Sequence, residues 1–331
     1  MTVQVRRFVS ALLLGVALYG VYIAVTGFKE IRAGLATFNW LAFAMAVALA
    51  STNYFLRFLR WQYYLRRLDV RGVEASDSLL IFLSGFVLTM TPGKVGEVFK
   101  SAVLGQTHGV PVARTAPIVV AERLTDLIGV VLLILFGSAG FTSGLPWAMA
   151  GGGAVLVGLV LILWERPSNA LLAWIGAHPR LGRIAPKLRE AIESLRLLAS
   201  PSALLWPMAL SIVAWACEGV ALWVVLQGFR ASAPLLLSVF FYETASLAGA
   251  LIPVPGGLGV VETMLREQLV RLGGVAAGIA TSSMILVRFA TLWWAVAVGF
   301  GALAMLRRRH PVLRGTAVST PSSAAAGSSE V

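Results

Sequence analysis

The stretch TPGKVGEVFKS, residues 91–101, interrupts an apolar region with a proline, two glycines and three charged side chains. A helix needs about 20 predominantly apolar residues to cross the hydrocarbon core of a bilayer. Proline and glycine break such a helix, and the backbone groups they free must then be buried in protein or line a water-filled cavity. The stretch therefore predicts either a re-entrant helical hairpin or a loop between two short crossings.

The composition places the whole chain in a membrane. Of its 331 residues, 58% are hydrophobic and 13% are charged, whereas soluble proteins have about 25% charged residues. The mean hydropathy is +0.83. We therefore expect an all-α polytopic membrane protein. One cysteine, Cys217, and three histidines can build neither a disulfide framework nor a Cys/His zinc cluster, so we expect no metal and no cofactor.

We interpret the net charge of +12 as a signal of membrane orientation and not as a surface that binds nucleic acid. The basic residues lie in short blocks beside apolar spans, as the positive-inside rule requires. These blocks fall on one face and predict that both termini are cytoplasmic, in a bacterial inner membrane. They comprise Arg6, Arg7, Arg66, Arg67, Arg71, Arg166, Arg180, Arg183, Lys187, Arg189, Arg196, Arg307, Arg308 and Arg309.

Hydropathy predicts six transmembrane helices, at residues 8–27, 40–58, 115–136, 147–164, 204–227 and 275–306. Two further apolar regions, 78–104 and 234–272, are broken near their middle, and each predicts a re-entrant hairpin or a pair of short crossings. The first span also resembles a signal peptide, but its length favours an uncleaved helix. Residues 181–199 predict an amphipathic cytoplasmic helix, and residues 311–331 a disordered tail that follows the transmembrane domain, 1–310.

The break at residues 91–101 has a counterpart in VPGGLGVVETMLRE, residues 254–267, where the prolines and two of the glycines recur at identical spacing. This match predicts an internal duplication, about 40–136 and 204–306. Because one crossing separates the two halves, the second copy is expected to be inverted. Inverted repeats with broken helices are typical of transporters, which bind their substrate near the bilayer midplane.

Charged residues inside apolar spans are the sharpest functional signal, since each costs at least about 2.5 kcal/mol at the bilayer centre. Arg123 lies within one helical turn of Glu122 and Asp126, so an ion pair with Asp126 is expected, either as part of a polar cavity or as a purely structural contact. Arg288 needs an acid from elsewhere, with Glu262, Glu243, Glu218 and Glu97 as candidates. Arg57 and Arg60 are expected to reach the membrane surface by snorkelling.

In its segments PGKVGE, ERLTD and PVPGGLGVVE, the chain resembles the flippase-like family named for the transmembrane region of lysylphosphatidylglycerol synthase, over about residues 5–310. The resemblance implies a domain with re-entrant helices that moves a polar lipid between leaflets. It does not imply aminoacylation, because no aminoacyl-transfer domain follows in this sequence. The residues that carry the family pattern are Pro92, Gly93, Gly96, Glu97, Glu122, Arg123, Asp126, Pro253, Pro255, Gly256, Gly257, Gly259 and Glu262.

The leading hypothesis is a lipid flippase for a phosphate-bearing lipid, and not an enzyme. Its predicted substrate-binding residues are Lys94, Glu97, Lys100, Glu122, Arg123, Asp126, Glu243, Glu262 and Arg288. Its predicted hairpin turns are Pro92, Gly93, Gly96, Pro253, Pro255, Gly256, Gly257 and Gly259. The alternatives are a membrane-embedded transferase that uses Glu97, Glu122 and Asp126 as bases or metal ligands, and a scaffold for lipid-synthesis enzymes. The expected partners are a membrane lipid, lipid-synthesis enzymes and a second copy of the chain.

Overall fold

The computed structural model describes residues 35–89, 96–138, 185–198, 200–252 and 254–315, with the isolated positions 149 and 153. Three helical stretches in this part of the chain are long and apolar enough to cross a membrane: Trp40–Arg67, Ser202–Gly228 and Ala277–Arg309. The predicted span 115–136 is also helical, as Pro117–Gly137, but its buried charges lower its apolar character. The predicted spans 8–27 and 147–164 lie outside the described residues apart from positions 149 and 153, so the count of six stays a prediction.

Each half of the chain contains the same sequence of elements. The first half has a long helix α1 (Trp40–Arg67), two short helices α2 (Ala75–Ser84) and α3 (Gly96–His108), and then α4 (Pro117–Gly137). The second half has α6 (Pro201–Gly228), the shorter α7 (Leu235–Leu251) and α8 (Val260–Arg271), and then α9 (Ala277–Arg288) followed by α10 (Trp294–Arg309). Helix α5 (Ala185–Leu198) lies between the halves, in the segment predicted to be amphipathic.

Local sequence explains where the short helices end. A 3₁₀ turn, Gly85–Leu88, follows α2 and leads to the predicted break, of which residues 90–95 lie outside the described part. The second break contains a 3₁₀ turn, Pro255–Gly257. Gly256, Gly257 and Gly259 have φ of +61°, +68° and +84°, in the left-handed region that side chains with a Cβ rarely adopt. Glycine is therefore required to turn the chain between α7 and α8.

The arms of both hairpins are too short to cross a bilayer alone. Together, α2 and its 3₁₀ extension cover Ala75–Leu88, and α3, α7 and α8 have 13, 17 and 12 residues, fewer than the roughly 20 that a crossing requires. Their lengths therefore favour the re-entrant interpretation over the pair of full crossings.

The two halves pack in a reciprocal manner around the central pair of α1 and α6. Helix α2 of the first half packs against α10 of the second, while α7 of the second half packs against α4 of the first. A two-fold symmetry axis that relates the two halves would produce this reciprocal packing. The inverted arrangement itself stays a prediction.

The surface of the bundle carries large apolar side chains, among them Phe55, Leu205 and Met305, each at least half exposed. Exposed apolar surface on this scale is costly in water and suits a lipid environment. Order also continues further toward the C-terminus than predicted, because residues Val312–Gly315 form a helical turn with Leu313 buried. Residues 316–331 of the predicted tail lie outside the described part of the chain.

Candidate functional site

A cavity of about 140 Å³ lies between the two halves. Three long helical stretches reach it with residues from their middle: Arg57 from α1, Glu218 from α6, and Arg288 with its neighbours from the α9–α10 region. Both hairpin regions also contribute to its wall. The polar and aromatic lining residues are Tyr54, Arg57, Phe82, Phe86, Thr89, Lys100, Arg123, Trp215, Glu218, Tyr242, Ser246, Arg288 and Thr291.

Three guanidinium groups surround the carboxylate of Asp126 on α4, on one side of the cavity. Nη1 of Arg60 lies 2.5 Å from Oδ1 of Asp126, Nη2 of Arg123 lies 3.1 Å from Oδ2, and Nη2 of Arg57 lies 3.9 Å from Oδ2. The hydroxyl of Ser211 on α6 donates a hydrogen bond to the same carboxylate at 2.8 Å. One buried anion thus connects α1, α4 and α6, and the expected pair between Arg123 and Asp126 is present.

Arg60 corrects the snorkelling interpretation. Its side chain is completely buried and donates hydrogen bonds to Thr125 and Ser211 in addition to Asp126. Arg60 lies on the face of α1 that packs against α4 and α6, so its guanidinium meets an acid before it can reach a membrane surface. Arg57, one turn earlier, lines the cavity and lies 5.8 Å from the ring centre of Phe86. Neither arginine extends to the surface as predicted.

Lys100 and Glu122 form a second buried ion pair. Nζ of Lys100 donates to Oε2 of Glu122 at 2.7 Å, and the ammonium lies 4.8 Å and 5.0 Å from the ring centres of Trp61 and Phe82. Aromatic faces attract a desolvated cation, so α3 is held against the centre of the bundle by its one lysine. Trp61 in turn donates to Ser78 of α2 at 3.1 Å.

Arg288 forms the third buried pair and holds the second turn. Its Nε donates to Oε1 of Glu262 at 2.6 Å, and its Nη2 donates to the carbonyl of Gly256 at 2.9 Å. Among the candidate partners whose side chains the structure describes, Glu262 pairs with Arg288, and the side chain of Glu97 lies outside the described part of the chain. The other oxygen of Glu262 accepts the backbone N–H of Gly259 at 2.7 Å, at the N-terminus of α8.

A chain of polar contacts crosses the cavity wall between Glu218 and Tyr54. The hydroxyl of Tyr242 donates to Oε2 of Glu218 at 2.5 Å and lies 3.2 Å from Oγ1 of Thr291. The hydroxyl of Tyr54 donates to the carbonyl of Thr291 at 2.5 Å. Thr291 belongs to a π-helical segment, Phe289–Trp293. Such segments occur frequently at functional sites because they change the hydrogen bonding of the helix backbone.

The structure places the predicted site residues at different distances from the cavity. Lys100, Arg123 and Arg288 line it together with Gly256 and Gly257, whereas Glu122, Asp126 and Glu262 lie behind its wall and hold these cations. Glu243 is completely buried but does not line it. The backbone of Gly96 and Glu97 begins α3, and Pro255 begins the second turn. Pro92, Gly93, Lys94 and Pro253 lie outside the described residues.

The charged and tyrosine side chains of the site that were not predicted as substrate-binding residues are Tyr54, Arg57, Arg60, Glu218 and Tyr242. The charged ones carry the same signal as Arg123, because a charge inside an apolar helix is costly unless it is paired or hydrated. Glu218 was considered only as a partner for Arg288. The two tyrosines gave no signal, since tyrosine in an apolar helix is as common in packing as in polar contacts.

Two of the three acids proposed as transferase bases or metal ligands are engaged in ion pairs, and the side chain of Glu97 lies outside the described part of the chain. Lys100 holds Glu122, and Arg60 and Arg123 hold Asp126. Within the part of the chain that the structure describes, no three acidic, histidine or cysteine side chains are grouped so that they could hold a metal ion. Glu122 and Asp126 are therefore held by cations, and the transferase alternative stays a prediction.

Comparison with known proteins gives consistent matches over most of the chain. The family model described as lysylphosphatidylglycerol synthase TM region matches residues 12–299. A UPF0104 membrane protein of Methanothermobacter thermautotrophicus is 23% identical over 88% of this chain and 93% of its own length. A second one from that organism is 24% identical over 79% of this chain and 82% of its length. A UPF0104 membrane protein of Methanocaldococcus jannaschii is 23% identical over 54% and 77%.

Proposed function

Because the chain belongs to the family of the lysylphosphatidylglycerol synthase transmembrane region, we propose that it is a lipid flippase that moves an anionic, phosphate-bearing lipid between membrane leaflets. The observation that carries this proposal is the charge of the central cavity. Its described wall contains four basic side chains, Arg57, Lys100, Arg123 and Arg288, and one acidic side chain, Glu218. Arginine and lysine are the residues that most often bind phosphate oxygens.

The position of the cavity supports transport more than surface binding. The long helices contribute lining residues from their middle and not from their ends. If these helices cross the bilayer, the cationic groups lie near its midplane, where transporters built from broken helices bind their substrates. A head group can then be held by the cavity while its acyl chains remain against the apolar outer surface of the bundle.

The two halves contribute different cations to the proposed head-group site. Arg57, Lys100 and Arg123 belong to the first half, and Arg288 belongs to the second. A phosphate between them would connect both hairpins, so that binding and release could be coupled to a change in their relative position. In this proposal the protein acts without chemical conversion of the lipid, in a cytoplasmic membrane, with lipid-synthesis enzymes as candidate partners.

The test is a translocation assay in liposomes of phosphatidylcholine that contain a trace of fluorescent phosphatidylglycerol. A membrane-impermeant reductant destroys the label in the outer leaflet, so the fraction of label that it can reach reports movement between leaflets. We expect wild-type protein to expose nearly all of the label. Arg57→Gln and Arg123→Gln should slow exposure at least about tenfold, since each removes a charge-assisted contact worth about 1.5–3 kcal/mol.

Arg67→Gln is the matched control, because Arg67 lies at the exposed end of α1 and contacts Tyr63. This variant should behave as wild type. Mass spectrometry of lipids that copurify with the same four proteins gives an independent readout, with an anionic lipid enriched only in wild type and Arg67→Gln. Normal translocation by folded Arg57→Gln and Arg123→Gln proteins would contradict the proposed role of the cavity.

A further inference from the structure

Glu218 differs from the three acids that form ion pairs beside the cavity. Asp126, Glu122 and Glu262 each have a cation within 3.1 Å, whereas Glu218 accepts a hydrogen bond from the neutral hydroxyl of Tyr242. Glu218 is 9% exposed and is the acidic residue of the described cavity wall. Arg57 and Arg288 lie in the same wall and attract the Glu218 carboxylate electrostatically.

An anionic head group would compete with Glu218 for these same cations. When the cavity is empty of lipid, the Glu218 carboxylate is the acidic group of its described wall, and Arg57 and Arg288 attract it in addition to Asp126 and Glu262. A phosphate that enters brings a second negative charge into a site with little water, where like charges repel strongly. Uptake of a proton by Glu218 removes that repulsion and leaves the phosphate as the anion inside the cavity that Arg57 and Arg288 attract.

The hydroxyl of Tyr242 has a second hydrogen-bond acceptor, so it can leave Glu218 when Glu218 takes up a proton. Its hydroxyl donates to the Glu218 carboxylate at 2.5 Å and lies 3.2 Å from Oγ1 of Thr291. The Thr291 hydroxyl itself donates to the carbonyl of Val287 at 2.9 Å, which leaves its oxygen able to accept. When Glu218 is protonated, the Tyr242 hydroxyl can turn to Thr291 without losing its hydrogen bond.

We propose that Glu218 is a proton-binding residue that takes up a proton when an anionic lipid head group enters the cavity and releases it when the head group leaves. The proton comes from the aqueous side to which the cavity is open and binds to a carboxylate oxygen, and no other bond changes. This inference rests on the proposed function. It supplies a coupling ion for transport, since a difference in pH across the membrane would then bias the direction of lipid movement.

The other titratable groups around Glu218 belong to four of the helices that pack against α6. Arg57 and Tyr54 belong to α1, Asp126 and Arg123 to α4, Tyr242 and Glu243 to α7, and Arg288 to α9. Glu243 is completely buried, and no donor to its carboxyl oxygens is found among the described residues. The charges that act on Glu243 are those of Glu218 and Asp126, both acidic, so loss of the Glu218 charge relieves repulsion there as well.

The experiment measures proton exchange on binding. Purified full-length protein in weakly buffered neutral detergent solution is titrated with short-chain phosphatidylglycerol, while a pH indicator follows the bulk solution and calorimetry follows binding. Thermodynamic linkage between lipid binding and proton binding predicts that wild type takes up as much as about one proton for each lipid bound. It also predicts that its affinity for the lipid rises as the pH is lowered. Glu218→Gln should bind the lipid at least as tightly, with no proton uptake and no dependence of affinity on pH.

Glu193→Gln is the matched control, because Glu193 is an exposed residue of α5 remote from the cavity wall, and it should take up protons as wild type does. Saturable binding by wild type without proton uptake would overturn the inference and leave the proposed function standing. Unchanged proton uptake in Glu218→Gln would assign the proton to another group and would equally overturn it. Absence of any saturable binding of phosphatidylglycerol to wild type would contradict the proposed function and the inference together.

Discussion

The Nε atom of Arg288 lies 2.6 Å from Oε1 of Glu262, although the two residues belong to different helices, α9 and α8. The same guanidinium holds the carbonyl of Gly256, and the same carboxylate holds the N–H of Gly259. One ion pair therefore satisfies two backbone groups of the break between α7 and α8. Without these contacts, the freed N–H and C=O groups would need water or another side chain.

Loss of this pair should destabilise the protein strongly. Arg288→Ala leaves the buried carboxylate of Glu262 without its cation, and removing one partner of a buried pair costs about 3–5 kcal/mol. We expect a clear drop in the Tm measured by thermal unfolding in detergent. Arg271→Ala is the matched control, because Arg271 is 78% exposed in its pair with Glu267 and such pairs contribute less than about 1 kcal/mol. Equal Tm values for the two variants would contradict this assignment.

Arg60 and Arg123 share one carboxylate but should respond differently to mutation. Arg60 is fully buried, whereas Arg123 is 31% exposed, so Arg60→Ala should lower the Tm far more than Arg123→Ala. The rate of lipid translocation should respond in the opposite way. The Arg123→Ala protein should fold but lose most of its translocation rate, because the Arg123 side chain faces the cavity. A folded Arg60→Ala protein with wild-type Tm would show that Asp126 does not need its buried partner.

Close packing of α10 against the first hairpin predicts a sharp difference between two glycines on the same helix. A Cβ at Gly299 would lie 2.7 Å from the backbone nitrogen of Val87, while a Cβ at Gly301 meets nothing within 4 Å. Gly299→Ala should cost about 1–3 kcal/mol because the hairpin must shift. Gly301→Ala should be neutral or stabilise the helix by up to about 1 kcal/mol. Thermal unfolding of both variants checks this, and equal effects would argue against the contact.

A cluster at the ends of α2, α3 and α10 predicts how stability depends on pH. Asp77 accepts hydrogen bonds from Arg309 at 2.8 Å and pairs with His310 at 2.7 Å, and His108 lies 3.8 Å from the same carboxylate. Burial raises the pKa of Asp77, but its bonds to Arg309 and His310 outweigh this and hold the pKa below the ordinary value. Burial lowers the pKa of His108 more than Asp77 raises it.

Because the pKa of His108 is lower in the folded state, the unfolded chain binds a proton first as the pH falls. Stability linked to His108 is thus complete above its unfolded pKa of about 6.5 and is lost as the pH falls from there toward the folded value. We expect the Tm of wild type to fall between about pH 7 and pH 5.5, and His108→Gln to fall less over that interval. An equal decline in both proteins would assign the effect to other groups.

Local sequence was sufficient to predict the two breaks in the apolar regions and some of the buried ion pairs. Glycines at Gly256, Gly257 and Gly259 indicate a turn because few other residues adopt positive φ, and Arg288 indicates a buried partner because an isolated charge in an apolar helix is too costly. The prediction was wrong for Arg60, because an arginine that snorkels to the membrane surface and an arginine that forms a buried ion pair have the same sequence pattern. The choice depends on which face of α1 meets α4, and no local signal encodes that.

The sequence by itself determined that the chain is an all-helical membrane protein with two broken apolar regions and charges that require partners. These properties depend on residues near one another in the chain and on their transfer from water to lipid. Tertiary structure decided that Asp126 meets Arg60 and Ser211, which are 66 and 85 positions away, and that Glu218 shares a cavity with Arg57 and Arg288. The physical reason is that ion pairs act over a few ångströms, so helix packing selects among partners that composition leaves equivalent.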